Sequence, residues 1–253
     1  MSTLTNVHGL PDPVVRALSW DGYGELVGDI SVTGLLRPVQ VAALEERHKD
    51  ELPPEDVSER IWRLYGSAAH EFLYRSRDKD AVIAEQRLTM DVAGWTVSGK
   101  PDTYDTSTQS LTDFKTSSVW TAIFDPTGRS EWHAQLNCYR VLLEQNGYPV
   151  KALQVILICR DWNKKESLKR PDYPKIPIVA IDIPLWDIAD AQAYMARRVL
   201  LHQAARETGK WADCTPEERW QNARTGAYAR CEGYCAVSSF CPTLAREAAG
   251  IVR

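Results

Sequence analysis

Two acidic residues and one lysine are the first feature that could do chemistry. Gly99-Lys100-Pro101-Asp102 is followed, after ten intervening residues, by Asp113-Phe114-Lys115. The second piece falls on a strand-like segment, so Asp113 and Lys115, two apart, point to one face. Asp102 closes the preceding strand, and a hairpin-like connection brings it alongside. Two carboxylates at the ends of adjacent strands are hard oxygen ligands that suit Mg²⁺ or Mn²⁺. A divalent ion held there polarises a phosphodiester and makes a coordinated water more acidic. A lysine beside it can orient or deprotonate that water, or stabilise developing charge. The competing reading is a surface salt bridge between two strands. Asp-x-Lys alone favours the salt bridge; the full pattern placed on strands moves the balance to a metal site.

The elements that must carry these residues are legible in the spacing. Residues 38–50 pattern as a helix. A second helix starts near Asp56 or Ser58, with Ile61, Leu64, Tyr65, Ala68, Ala69 and Phe72 at helical spacing. His70 is placed on the apolar side of that helix, where a histidine satisfied in the core is the ordinary case. Residues 81–90 and 92–104 read as two strands joined at Ala93-Gly94, and 110–116 as a third. Residues 131–145 read as a helix stopped by Gly147-Tyr148-Pro149. Residues 150–159 read as a buried strand, 160–175 as a polar loop, 176–183 as a strand and 186–208 as a long helix. The expected class is α/β with a mixed sheet. The expected organisation is an N-terminal arm over 1–30, read as loose or extended, a main domain over 31–210 and a C-terminal segment over 211–253.

Composition narrows the function. The 253 residues are 44% hydrophobic and 25% charged, with a net charge of −4. That argues against coating nucleic acid through bulk charge, which usually needs a strongly basic domain. The average hides an asymmetry. Residues 1–60 hold 11 acidic and 5 basic side chains, and residues 114–175 hold 10 basic and 6 acidic. Lys164, Lys165, Lys169 and Arg170 supply much of that excess, as a solvated loop or as a phosphate-contacting lip. The first fifteen residues lack a cationic start followed by an apolar stretch, and no apolar run is long enough to span a membrane. A cytoplasmic protein without membrane attachment is therefore expected. There is no Gly-x4-Gly-Lys-Ser/Thr loop, so ATP-driven unwinding would need a partner. Pro171-Asp172 and Lys175 offer a second Pro-Asp…Lys, but in a polar loop without a following Asp-x-Lys.

Pro101-Asp102 and Asp113-Phe114-Lys115 match the signature of the PD-(D/E)XK nuclease superfamily, and the chain resembles its RecB-like branch. That branch includes the RecB nuclease domain, CRISPR-adaptation nucleases and many phage exonucleases. Further pieces resemble it in order: the segment Ile30 to Leu36, Gly66-x3-His70, the strand glutamate Glu85, and Gln135-x3-Tyr139. The resemblance spans about residues 30–140. It implies a restriction-endonuclease-like core, a central mixed sheet flanked by helices, with a cysteine-bearing C-terminal segment. It implies metal ligation by Asp102, Asp113, His70 and the Phe114 carbonyl. Lys115 would assist the attacking water. Gln135 and Tyr139 would line the site and position DNA or Lys115, and Glu85 would stand behind the ligands. The implied activity is Mg²⁺- or Mn²⁺-dependent hydrolysis of DNA, acting from linear ends, in phage-type recombination or end processing. The setting would be a bacterial or phage-infected cell, with a single-strand annealing protein or a helicase as partner. Two alternatives stay open: a non-catalytic nucleic-acid-binding or scaffold protein with this fold, and a CRISPR-adaptation nuclease.

The cysteines form a second constellation. Cys231-x3-Cys235-x5-Cys241 is compact, and Cys214 lies upstream. Four thiolates suit Zn²⁺ or an iron–sulfur cluster. Several RecB-like members are implied to carry a [4Fe–4S] cluster closed by a cysteine near the N-terminal segment, but here Arg37-Pro38-Val39 stands there. Cys214 completing the set, a zinc site, and no metal at all remain open. Cys138 and Cys159 read as core residues.

Overall fold

A computed structural model describes residues 3–20, 26–78, 81–222 and 225–250. Parts of the expected N-terminal arm, residues 1–2 and 21–25, lie outside the described residues. In chain order the elements are β1 (Leu4–Thr5), α1 (Asp12–Ser19), β2 (Ile30–Ser31), α2 (Val32–Leu36), α3 (Val39–Arg47), β3 (Glu55–Asp56), α4 (Ile61–Ser76), β4 (Val82–Ala84), β5 (Leu88–Val92), β6 (Trp95–Gly99), β7 (Thr103–Asp105) and β8 (Ser110–Ser117). They continue with α5 (Val119–Phe124), α6 (Ser130–Gln145), β9 (Ala152–Cys159), α7 (Lys164–Lys169), β10 (Ile178–Ile183), α8 (Ile188–Thr208) and α9 (Pro242–Ala248). The chain falls into two compact units. The larger takes residues 20–36 and 60–196, and the smaller takes 1–19, 37–59 and 197–253.

The larger unit is built on a five-stranded mixed sheet, order β10-β9-β8-β7-β4. β8 and β9 run parallel over their full length, Ser110 beside Ala152 through Ser117 beside Cys159. The other neighbours are antiparallel. A three-stranded sheet, order β2-β6-β5, completes it. Its β5–β6 hairpin turns at Ala93 and Gly94 with φ of 48° and 83°, the two positive dihedrals that a tight hairpin turn requires. α6 buries nine residues, among them Leu136, Asn137, Cys138, Tyr139 and Leu142, and touches strands of both sheets. α4 packs on β8. Alternate residues of a strand point to opposite faces. Phe114 and Thr116 face α4, while Leu111 and Asp113 are buried on the other side. This is the mixed α/β architecture that the sequence implied, a central sheet between helices.

Several local expectations change. The segment read as two strands over 81–104 is four. Ala84 ends in the five-stranded sheet and Leu88 begins in the three-stranded one. The lead-in contains the helix α1, and the 160–175 loop contains α7. Asn163 caps α7 by accepting from the amides of Lys165 and Glu166 at 2.8 and 3.4 Å, the usual way an Asn satisfies the first free N–H groups of a helix. The apolar spacing of α4 does not mark a core face. None of its residues is buried, and Ile61, Tyr65 and Phe72 are exposed. At 100° per residue His70 lies opposite that stripe, toward Phe114. Cys138 and Cys159 are buried core residues, as read.

The smaller unit holds the parallel pair β1–β3. Its core gathers Val41, Leu44 and Val237, with Leu52, Trp211, Phe240 and three cysteines, Cys214, Cys235 and Cys241, packed around them. No described helix of the chain is long and apolar enough to cross a membrane.

Candidate active site

A cleft of about 790 Å³ opens in the larger unit. It is lined by His70, Glu85, Asp102, Asp113, Phe114, Lys115, Gln135 and Tyr139. All eight residues of the expected site, drawn from α4, the β4–β5 and β6–β7 connections, β8 and α6, therefore meet on one surface. Ser31, Val32 and Thr33, from the Ile30–Leu36 segment, line it as well.

The geometry is built around the backbone of Phe114. Asp102 Oδ2 accepts a hydrogen bond from the Phe114 amide at 2.8 Å, which fixes the carboxylate against β8. His70 Nε2 lies 2.8 Å from the Phe114 carbonyl oxygen, and His70 Nδ1 lies 3.5 Å from Asp102 Oδ1. Gly66, one turn earlier on α4, lets the helix approach: a Cβ there would sit 3.3 Å from Thr116 Oγ1. Ligand atoms of His70, Glu85 and Asp102 lie within 4.8 Å of one another. Glu85, expected behind the ligands, thus presents its carboxylate inside the group. Its backbone explains how. Glu85 has φ of 55°, a left-handed conformation that is costly for a non-glycine residue. The turn is pinned by its N–H, shared between the carbonyls of Pro101 at 3.1 Å and Asp102 at 3.3 Å.

Asp113 and Lys115 stand beside this group. Lys115 Nζ is 2.6 Å from Asp113 Oδ2. That oxygen is buried, and the lysine is its close ionic partner. Burial pushes the Asp113 carboxyl up to about 6, against the pull of Lys115 and with help from the charge of Asp102. Burial works the other way on His70, but the hydrogen bond and charge of Asp102, with the charge of Asp113, outweigh it and raise its pKa. Both groups therefore bind protons at higher pH than their ordinary values allow. On α6, Gln135 Nε2 donates to Tyr139 Oη at 3.4 Å. Gly99 gives Tyr139 its space, since a Cβ there would fall 2.9 Å from the tyrosine ring and 2.5 Å from Leu142.

The donor set fits a divalent cation. It offers carboxylate oxygens, one imidazole and a main-chain carbonyl, with ligand atoms of His70, Glu85 and Asp102 within 4.8 Å of one another. Lys100 was not singled out from the sequence as a site residue. It lines the cleft and ion-pairs with Glu85; its place two residues before Asp102 is the signal that could have found it. Arg63 and Arg87 also line the cleft and carried no such signal. Lys164, Lys165, Lys169 and Arg170 do not line it. The second Pro-Asp…Lys is a surface arrangement: Asp172 pairs with Arg170 at 2.6 Å and Lys175 donates to the Ser167 carbonyl.

Cys214, Cys231, Cys235 and Cys241 line one small cavity, about 20 Å³, in the smaller unit. α3 contributes Gln40, Val41 and Leu44 to its wall and no cysteine. Gln40 is buried; its Oε1 accepts from the Cys214 amide at 2.9 Å and its Nε2 donates to Thr243 Oγ1 at 2.9 Å. Burial, then Glu218 and the other three cysteines, push the Cys214 thiol up to about 12. Arg219 supplies positive charge to the site. Its Nε is 3.4 Å from Cys231 Sγ, while its other two nitrogens grip Glu247 at 2.7 and 2.8 Å.

A solved structure described as SSO0001 aligns with a TM-score of 0.56 and 17% identity, over 91% of this chain and 94% of that one. An alkaline exonuclease from Laribacter hongkongensis aligns with a TM-score of 0.39 and 13% identity, over 68% of this chain and 91% of that one. The same exonuclease in complex with dAMP gives 0.39 and 14%, over 72% and 97%. No curated protein matches the sequence significantly. The family model of the PD-(D/E)XK nuclease superfamily matches residues 33–242, across the cleft and up to the last cysteine of the cluster, and the chain belongs to that superfamily.

Proposed function

We propose that the protein is a Mg²⁺- or Mn²⁺-dependent deoxyribonuclease that works from the ends of linear DNA, in phage-type recombination or DNA end processing. The observation that carries the reading is the convergence of His70, Glu85 and Asp102 within 4.8 Å, beside the Asp113–Lys115 pair.

Asp102, Asp113, His70 and the Phe114 carbonyl would hold the cation, with Glu85 close enough to join them. A divalent cation there supplies positive charge against the scissile phosphate and makes water beside it a stronger acid. This chain's residues do the rest. Lys115, held by Asp113, orients the attacking water and offsets the negative charge that grows on the phosphate. Gln135 and Tyr139 position the phosphodiester or Lys115 from the α6 side. Asp102 keeps the ligand set attached to β8 through the Phe114 amide. An intact Asp102, Asp113 and Lys115 weighs against a non-catalytic scaffold.

The cysteines support a structural metal cofactor. Cys214, Cys231, Cys235 and Cys241 line one cavity, and four thiolates suit an iron–sulfur cluster, with Cys214 in place of an N-terminal ligand, or zinc.

The reading is tested by digesting end-labelled linear and circular DNA with Mg²⁺, Mn²⁺ or EDTA. Metal-dependent loss of label from linear DNA alone is expected. Equal cutting of closed circles would remove the end requirement, and no cutting with either metal would remove the activity.

A further inference from the structure

The carboxyl ends of β8 and β9 carry a surface that the metal chemistry does not use. Arg160 follows directly on β9, and its guanidinium lies 4.1 Å over the ring of Trp62 from α4. Asp161, the next residue, accepts from Ser118 Oγ and from the Val119 amide, both at 2.6 Å. It thereby locks the start of α5. On α5 the rings of Trp120 and Phe124 stack, 5.7 Å apart and 19° from parallel. Arg170, at the end of α7, lies 5.0 Å over Trp120. Trp62, Trp120 and Phe124 are 54%, 42% and 73% exposed. One connected surface thus presents three solvent-facing aromatic rings, two of them backed by arginines, with Lys164, Lys165 and Lys169 on the adjoining α7.

This surface adjoins the cleft. Gly66 and Thr116 line the cleft; Trp62 stands one helical turn before Gly66 and Trp120 four residues after Thr116. Only Thr116 lies between Lys115 and Ser117, where the chain leaves β8, two strand steps of about 7 Å in all.

We propose that the two arginine–tryptophan pairs, Arg160–Trp62 and Arg170–Trp120, with Phe124, form a base-stacking platform for a single-stranded nucleic-acid end whose backbone leads to the His70–Glu85–Asp102 centre. The inference rests on the nuclease reading and adds the form of the substrate. A duplex offers base edges, because its base faces are covered by their neighbours; an unpaired strand offers the faces themselves, and every base has one. An arginine against each tryptophan fixes the ring; Arg160 brings positive charge beside Trp62 for phosphates, while Arg170 is itself held by Asp172 at 2.6 Å. A protein-docking patch would be depleted of lysine at its centre, whereas here cations alternate with rings.

The test is binding by fluorescence anisotropy in EDTA. The probes are an oligothymidylate of about 20 nucleotides, an abasic strand of equal length and a blunt duplex. Trp62→Ala and Trp120→Ala should each weaken oligothymidylate binding at least about fivefold. Trp62→Phe and Trp120→Phe should stay within about twofold of the parent, since a ring remains to stack on. Binding of the abasic strand and of the duplex should not change. Four outcomes would overturn the proposal: no binding of oligothymidylate by the parent, no loss in the alanine variants, an equal loss on abasic or duplex DNA, or a parent dimer that the variants dissociate. Because binding is read without metal, the two readings fail separately. Ring-dependent binding without cleavage removes the nuclease reading alone. Cleavage with binding indifferent to both tryptophans removes the platform alone.

Discussion

Asp102 and Phe114 are joined through the main chain: the aspartate carboxylate accepts the Phe114 amide hydrogen at 2.8 Å, while the carbonyl of the same phenylalanine meets His70 at 2.8 Å. One residue of β8 therefore sets the positions of two groups from elsewhere in the sequence. Asp102→Asn removes the charge and can turn an amide N–H toward another N–H. Cleavage should fall about 100-fold or more, with the circular dichroism spectrum unchanged. Activity within a few-fold of the parent would place Asp102 outside the chemistry.

Glu85 is the second position at issue. Its left-handed turn aims the carboxylate at His70 and Asp102, with Lys100 as the present ion-pair partner. Glu85→Gln should weaken Mn²⁺ binding about 10- to 100-fold, as read by titration calorimetry. Unaltered affinity would return Glu85 to a supporting role.

Proton binding follows from the buried pair. The Asp113 carboxyl is raised from 3.8 to about 6. Between those values the folded protein holds a proton that the unfolded chain has released, so this group makes stability fall as pH rises through the window. His70 acts in the same sense: its pKa is raised from 6.5, so its contribution is complete below that value and is lost as pH rises through the folded pKa. In EDTA the melting temperature should fall as pH rises from about 4 to about 6, and Asp113→Asn should flatten that slope. Mn²⁺ must displace these protons, so its affinity should drop as pH falls below about 6. A slope that Asp113→Asn leaves unchanged would contradict this assignment.

Gly99 is required for space. A Cβ would press on Leu142 and on the Tyr139 ring, both on α6. Gly99→Ala should cost about 1–3 kcal/mol of stability and reduce cleavage by displacing Tyr139. Chemical denaturation and a cleavage assay on the same sample check both.

The cysteine site makes its own prediction. Anaerobically purified protein should absorb near about 400 nm and contain iron, consistent with thiolate-held iron–sulfur chemistry. Cys214→Ser should remove much of both. A colourless parent free of iron and zinc would contradict a metal role for these four residues.

What the sequence disclosed depended on how far each feature is encoded locally. Pro101-Asp102 and Asp113-x-Lys115 were legible because the chemistry dictates residue type and spacing together. His70, Gln135 and Tyr139 were legible only through resemblance, since each alone passes for a core residue. The close placement of Glu85 was not legible: it depends on one left-handed dihedral and a shared hydrogen bond, and neither leaves a side-chain pattern. The same turn hid the division of 81–90 between two sheets. On α4 the apolar period is helical as its spacing indicates, but none of the helix's residues is buried and His70 lies opposite the stripe, because periodicity reports a face without saying what covers it.

The central claim is that Asp113 and Lys115 serve metal-dependent phosphodiester hydrolysis. Its most direct test is cleavage of end-labelled linear DNA in Mg²⁺ or Mn²⁺ by Asp113→Ala and Lys115→Ala, each confirmed as folded. Both variants should lose cleavage while the parent cuts; full activity in both, with the parent's metal dependence intact, would contradict it.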